Sequence, residues 1–138
     1  MTRENDLNRL YDLLTELEDR VDGKQRLGDC TGYMDWPERG VYFVFSRDER
    51  RDRGNQHRLT RIGTHAVSTG SGTSLWNRLR THRGANSGTY GGGGNHRGSV
   101  FRKRVGESLL ERHGLHDEYP HWGEGSSADR DRRLSEHD

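Results

Sequence analysis

The sequence predicts an α+β domain, a small antiparallel sheet with helices packed against it, preceded by one amphipathic helix. Two short runs of β-branched and aromatic residues flank a charged stretch, which is the pattern of a β-hairpin. The segments on either side of this hairpin show helical spacing and capping residues. At 138 residues and 27% apolar content, the chain suits one domain with a small core and substantial loops.

The first element is a helix over residues 4–21, which we expect to end near Gly23. Apolar residues recur in it at steps of three and four, namely Leu7, Leu10, Leu14, Leu17 and Val21. This stripe is interpreted as a face that docks on the domain. The alternative is a dimerisation helix, which would make the protein an interaction module.

The hairpin follows after a turn-like segment. We predict a first strand over residues 40–46, a solvated loop over the charged stretch 47–57, and a second strand over residues 58–64. Because side chains alternate along a strand, Val41, Phe43 and Phe45 share one side, which can form the core face. Tyr42 then points to a functional surface, where Arg61 of the second strand could join it.

Two further helices follow. The first begins at about Ser74, and its apolar arc of Leu75, Trp76 and Leu79 is expected to pack on the sheet. Arg78 and His82 lie one turn apart and are expected along the rim of that arc. The second covers residues 99–113, with Ser99 as its cap and Gly114 as its stop, and Gly106 weakens its middle.

Composition narrows the class of partner. Of the 23 basic residues, 21 are arginine, whose planar fork suits phosphate, while the net charge is only +1. Nucleic-acid binding would therefore depend on local patches. A single cysteine and the absence of a long apolar run indicate an intracellular, cytoplasmic protein that does not span a membrane.

A family resemblance arises from three motifs in order. GVY at Gly40–Tyr42, RIG at Arg61–Gly63 and LWNRLRTH at Leu75–His82 resemble the opening motifs of the GIY-YIG nuclease superfamily. That family has a hairpin carrying the two tripeptides and then a helix with the pattern Leu-x-x-Arg-Leu-x-x-His. The resemblance covers about residues 38–113, and the glycine- and arginine-rich segment 91–106 is similar to a bacterial and archaeal subgroup.

The resemblance implies an endonuclease that hydrolyses phosphodiester bonds in DNA. It assigns Tyr42 as the general base or hydrogen-bond partner of the attacking water and Arg78 as the clamp on the scissile phosphate. His82 matches a basic or hydrogen-bonding position. The resemblance also implies one divalent ion, Mg²⁺ or Mn²⁺, held by a glutamate from a later helix.

Two positions depart from the family pattern. Arg61 stands where the second motif has tyrosine, and arginine cannot act as a base at neutral pH, although it can assist at the phosphate. The metal-binding glutamate has no obvious counterpart. Glu107 is the candidate metal ligand. Its alternative role is that of an exposed helix residue paired with Lys103 or Arg104. Further candidate ligands are Glu111, Glu118, Glu124 and Glu136.

These departures motivate a second hypothesis, a non-catalytic nucleic-acid-binding module with a degenerate site. Either function can use the basic cluster that includes Arg97, Arg102 and Lys103, which suits a nucleic-acid backbone. The organisation predicted is an N-terminal helix in residues 1–26, a GIY-YIG-like domain in residues 36–113 and a loosely ordered segment in residues 114–138.

Overall fold

The chain forms a helical unit, residues 1–30, and an α+β unit, residues 31–138. The structure is a computed structural model and describes residues 2–65, 69–70, 72–84, 99–119 and 122. Within these ranges it contains three α-helices and a two-stranded antiparallel sheet, which confirms the predicted α+β class. None of the described helices has the length and apolar character that crossing a membrane requires.

The N-terminal unit consists of helix α1, Arg3–Arg20, and a short 3₁₀ turn, Leu27–Asp29. The Thr2 side chain caps α1 by accepting a hydrogen bond from the Asn5 amide at 3.3 Å. Leu14, at the centre of the predicted stripe, is buried together with Tyr11. The stripe is exposed at other positions, namely Leu7, Leu17 and Val21.

The hairpin of the second unit pairs β1, Gly40–Arg50, with β2, His57–His65. Both strands extend into the charged stretch, so the prediction that residues 47–57 form a loop is wrong at both ends. Arg50 pairs with His57 across the strands, and the Arg51 amide donates to the Gln56 carbonyl at 3.0 Å. Charged side chains are tolerated in this part of the ladder because they remain in solvent while the backbone pairs.

The sheet buries the face opposite to the one predicted as core. Tyr42 is only 8% exposed, whereas Val41, on the predicted core face, is 51% exposed. The Tyr42 face is the one that meets the helices, through His82 of the helix after the hairpin. A tyrosine can be buried there because its hydroxyl has hydrogen-bond partners.

Helix α2 spans Leu75–Arg83 and begins at the predicted cap, where Ser74 accepts from the Asn77 amide at 3.2 Å. Leu75 and Leu79 are buried, as the apolar arc predicts. Trp76 instead stacks on Trp36, with ring centroids 5.3 Å apart and planes at 15°. The preceding segment is thereby packed against α2.

Helix α3 spans Val100–His113 and has the predicted ends. Ser99 caps it, and Gly114 follows it in the left-handed conformation at φ 66°. Gly106, expected only to weaken the helix, has a packing role, because a Cβ there would lie 1.9 Å from Cζ2 of Trp122. The indole of Trp122 also donates to the Lys103 carbonyl at 3.0 Å. Residues 120–121 and 123–138 lie outside the described part of the chain.

Candidate functional site

The site is built on Tyr42, whose ring lies over the backbone of the neighbouring strand. Tyr42 of β1 pairs with Gly63 of β2, and a Cβ at residue 63 would lie 2.2 Å from the Tyr42 Cζ atom. Only glycine leaves room for the ring in this position. The glycine of RIG therefore determines where the tyrosine of GVY lies.

A row of hydrogen bonds runs from Tyr42 through both helices. The Tyr42 hydroxyl lies 2.8 Å from Nε2 of His82 on α2, and Nδ1 of His82 lies 2.7 Å from the Ser99 hydroxyl. Ser99 Oγ also accepts the Arg102 amide at 3.0 Å, which is its capping bond on α3. The row thus joins three elements of the fold at one buried position.

His82 is buried at the centre of this row, with 3% of its surface exposed, and does not lie on the rim that its helical position suggested. Histidine is polar, but it can be buried here because each of its ring nitrogens has a hydrogen-bond partner. The Phe101 ring meets the imidazole edge-on, with centroids 5.5 Å apart. The sequence pattern could not show this, because the covering residues come from α3.

Arg61 reaches the same hydroxyl from the second strand. It pairs across the sheet with Val44, which places it on the Tyr42 face, as we expected from the alternation. Its Nε atom donates to the Tyr42 oxygen at 3.4 Å, and its guanidinium lies 5.2 Å from the Phe101 ring centroid. The residue that replaces the family's second tyrosine is therefore a hydrogen-bond donor to the first.

The site is positively charged and holds a neutral histidine. Burial, followed by the positive charges of Arg78, Arg61 and His65, lowers the pKa of His82 from 6.5 to about 4. At neutral pH the imidazole is consequently uncharged and can both donate and accept a hydrogen bond.

Arg78 lies one turn before His82 on α2 and is partly exposed. In the part of the chain that the structure describes, its guanidinium has no hydrogen-bond or ion-pair partner. No described carboxylate pairs with Arg61 either. Two arginines without a counter-ion among the described side chains, beside a buried neutral histidine, form a site suited to an anion such as phosphate.

The remaining predicted residues lie elsewhere. Arg102 donates from Nη1 to the Arg83 carbonyl and packs over Gly84, so it holds the end of α2 against α3. Lys103 and Arg104 pair with Glu107 at 3.9 and 2.9 Å on the same helix. Arg97 lies outside the described residues.

The potential metal ligands of the described ranges are dispersed. Within them there is no group of three or more His, Cys, Asp or Glu side chains that could hold a metal ion. Glu107, the candidate ligand, is engaged by two cations and lies six positions beyond Phe101, about 120° away around the helix. These residues do not fit a preassembled metal site.

Two contributors to the site were not identified from the sequence. Ser99 was predicted only as a helix cap, and Phe101 was not singled out. Both belong to the first turn of α3 and meet His82, 17 and 19 positions earlier in the chain. No local pattern signals a contact of this kind, since it depends on how α2 packs against α3.

The comparisons with known proteins agree with the motifs. A family model described as GIY-YIG domain matches residues 1–138, which is the whole chain. No curated protein and no solved structure matched the chain. The chain belongs to the GIY-YIG domain family, and this membership implies nuclease activity on a nucleic acid.

Proposed function

We propose that this member of the GIY-YIG family is an endonuclease that hydrolyses phosphodiester bonds in DNA. One observation carries the proposal. The Tyr42 hydroxyl lies between a neutral, buried His82 and Arg61, in a site where Arg78 has no partner of its own within the described chain. A phenol hydroxyl that is hydrogen-bonded to two nitrogen atoms, beside a guanidinium group that no described side chain pairs with, supports hydrolysis at a phosphate.

Tyr42 is proposed to orient and deprotonate the attacking water. Tyr42 keeps the proton taken from the water, the hydroxide that forms adds to phosphorus as the bond to the leaving oxygen breaks, and solvent supplies the proton for that oxygen. Arg61 is permanently protonated and cannot serve as the base, so the role falls to the tyrosine. General base catalysis of this kind contributes about 10²- to 10⁴-fold.

Arg78 is proposed to hold the scissile phosphate. A guanidinium presents paired N–H donors that match phosphate oxygens and remain charged throughout the reaction. Because no described side chain forms an ion pair with Arg78, phosphate can bind to its guanidinium without breaking one. Arg61 and His82 both form hydrogen bonds with the Tyr42 hydroxyl and hold it in position.

A divalent ion, Mg²⁺ or Mn²⁺, belongs to the proposal, with Glu107 as its candidate ligand. Such an ion, when bound, stabilises negative charge on phosphate and leaving oxygens. No step is assigned to it, because the described residues form no preassembled site. Metal titrations of the wild type and of Glu107→Gln test the assignment. A higher metal requirement in the variant supports it, and an unchanged one removes Glu107 from the proposal.

The experiment that tests the function is nicking of supercoiled plasmid by the purified protein with Mg²⁺ or with a chelator. Arg78→Ala is the test variant. Arg80→Ala is the matched control, since Arg80 is exposed on the same helix two positions later. We expect nicking by the wild type and the control and its loss in Arg78→Ala. Equal nicking by both variants, or none by the wild type, contradicts the proposal.

The second candidate is a nucleic-acid-binding module without catalysis. Arg61 in place of a tyrosine favours it, since the change adds a phosphate-binding cation and removes an acid–base group. If this candidate is right, the protein should bind nucleic acid with a log affinity that falls linearly with log salt concentration. It should not cleave nucleic acid with any divalent metal. Binding that does not respond to salt would exclude it.

A further inference from the structure

The Ser99 hydroxyl, the His82 ring and the Tyr42 hydroxyl share three hydrogens over two hydrogen bonds. The bonds join Ser99 Oγ to His82 Nδ1 at 2.7 Å and His82 Nε2 to Tyr42 Oη at 2.8 Å. Each hydroxyl brings one hydrogen, and the neutral imidazole brings one more. Two bonds use only two of these, so one group keeps a hydrogen that no member of the row accepts.

Two arrangements satisfy both bonds. If His82 carries its hydrogen on Nδ1, it donates to Ser99, Tyr42 donates to Nε2, and the Ser99 hydrogen is left over. If His82 carries its hydrogen on Nε2, Ser99 donates to Nδ1, His82 donates to Tyr42, and the Tyr42 hydrogen is left over. The arrangements differ in which hydroxyl must find a partner outside the row.

Burial distinguishes the two. Ser99 is 1% exposed, and in the described chain its Oγ meets only His82 Nδ1 and the Arg102 amide, which is itself a donor. A leftover hydrogen on Ser99 would therefore be buried without an acceptor among the described residues, and folded proteins avoid such a state. Tyr42 retains 8% exposure, so a hydrogen on its hydroxyl has better access to solvent than one on Ser99.

We infer that Ser99 is a positioning residue, whose hydroxyl donates to His82 Nδ1 and fixes His82 in the Nε2–H form. The inference deepens the proposed function and rests on it for its catalytic meaning. The oxygen of Tyr42 then receives two N–H donors, from His82 Nε2 and from Arg61 Nε. Both donors stabilise negative charge on that oxygen, as catalysis by Tyr42 requires.

The arrangement also gives the direction of proton movement. With both nitrogen donors aimed at its oxygen, Tyr42 can act as a base only after its own hydrogen has passed to solvent. The phenolate then takes a proton from the attacking water, and the resulting hydroxide bonds to phosphorus. Tyr42 is thereby restored as a phenol, and His82 remains neutral throughout.

The decisive measurement is the protonation of the two imidazole nitrogens of His82 in the wild-type protein. Long-range ¹H–¹⁵N correlation spectra at neutral pH distinguish the bare nitrogen from the protonated one, and His82→Gln assigns the signals. We expect Nδ1 to be bare and Nε2 protonated. The reverse assignment would overturn the inference. The measurement needs no nuclease activity, so it can fail or succeed independently of the proposed function.

Ser99→Asp separates positioning from helix capping. Aspartate caps a helix as well as serine does, but its carboxylate can only accept a hydrogen bond. We expect a hydrogen on His82 Nδ1 and a fall in kcat of about tenfold, with KM unchanged, because the Ser99 side chain contacts His82 and the α3 backbone within the described chain. A Ser99→Asp protein with the wild-type tautomer and kcat would show that Ser99 is only a cap.

The matched control is Ser74→Asp, the same change at the cap of α2, where the side chain contacts the Asn77 amide. The His82 signals should remain as in the wild type. If Ser74→Asp also moved the His82 hydrogen from Nε2 to Nδ1, the effect of Ser99→Asp could not be assigned to a specific contact with Ser99. Should Ser99→Asp fail to fold, the wild-type spectrum alone still decides the inference.

Discussion

Replacing Gly63 by alanine should displace Tyr42 and slow the proposed reaction. The added Cβ would lie 2.2 Å from Tyr42 Cζ and 2.3 Å from its hydroxyl oxygen, whereas ordinary van der Waals contact begins at 3.4 Å. The ring must therefore move by about 1.2 Å. A movement of this size breaks the 2.8 Å hydrogen bond to His82 if it is directed away from that residue, and compresses it otherwise.

Both stability and catalysis should respond. Overpacking at a buried site costs about 1–3 kcal/mol of unfolding free energy. A displacement of about 1 Å at a catalytic group costs about 100-fold in rate. Urea unfolding measures the first effect, and single-turnover cleavage of labelled DNA measures the second.

Gly40→Ala is the matched control in the same hairpin. Among the described atoms its Cβ would meet only Cδ2 of Leu75, at 3.3 Å, and the end of a leucine side chain can yield by a few tenths of an ångström. We expect it to retain most of the activity. If Gly63→Ala matched Gly40→Ala in both stability and rate, the argument that the glycine positions Tyr42 would be refuted.

Three further predictions concern charge and packing. Because burial and nearby cations lower the pKa of His82 to about 4, its contribution to stability is complete above pH 6.5 and is lost as pH falls toward 4, by about 3 kcal/mol. His82→Gln should reduce the dependence of the unfolding free energy on pH in this range, as measured by urea unfolding. An equal pH dependence in the wild type and the variant would contradict the prediction. Arg78→Ala should slow cleavage about 10²- to 10³-fold and raise the pKa of His82, because it removes a nearby positive charge. The free energy of unfolding should change by less than about 0.5 kcal/mol. An unchanged NMR titration of His82 would argue against electrostatic coupling between the two residues. Gly106→Ala should displace Trp122 from α3 and shift the resonance of its indole N–H. The higher helix propensity of alanine stabilises α3 by about 1 kcal/mol. An unshifted indole resonance would show that the contact is absent.

Local rules were sufficient for most of the secondary structure. The caps at Ser74 and Ser99 and the stop at Gly114 were predicted, because a side-chain oxygen meets an amide only three residues away. The strands were predicted in place but too short. Pairing between Arg50 and His57 extends the hairpin, and such pairing depends on the opposite strand rather than on the residues themselves.

The predicted core face shows the limit of pattern reasoning. Alternation assigned Val41 to one side of β1 and Tyr42 to the other, and hydrophobicity alone favoured burying the valine. The helices cover the Tyr42 side instead. Hydrophobicity cannot decide such a case, because a tyrosine with a satisfied hydroxyl is nearly as suitable for burial as an aliphatic residue.

The sequence by itself determined the family, the α+β class and the order of the motifs, because these are written in short segments whose spacing is local. Only the tertiary structure decided that Tyr42, Arg61, His82 and Ser99 meet. They come from two strands, a helix and a helix cap, and their distances of 2.7 to 3.4 Å follow from packing between elements far apart in the chain. The buried, neutral state of His82 has the same origin, since desolvation is a property of its neighbours in space and not of its neighbours in sequence.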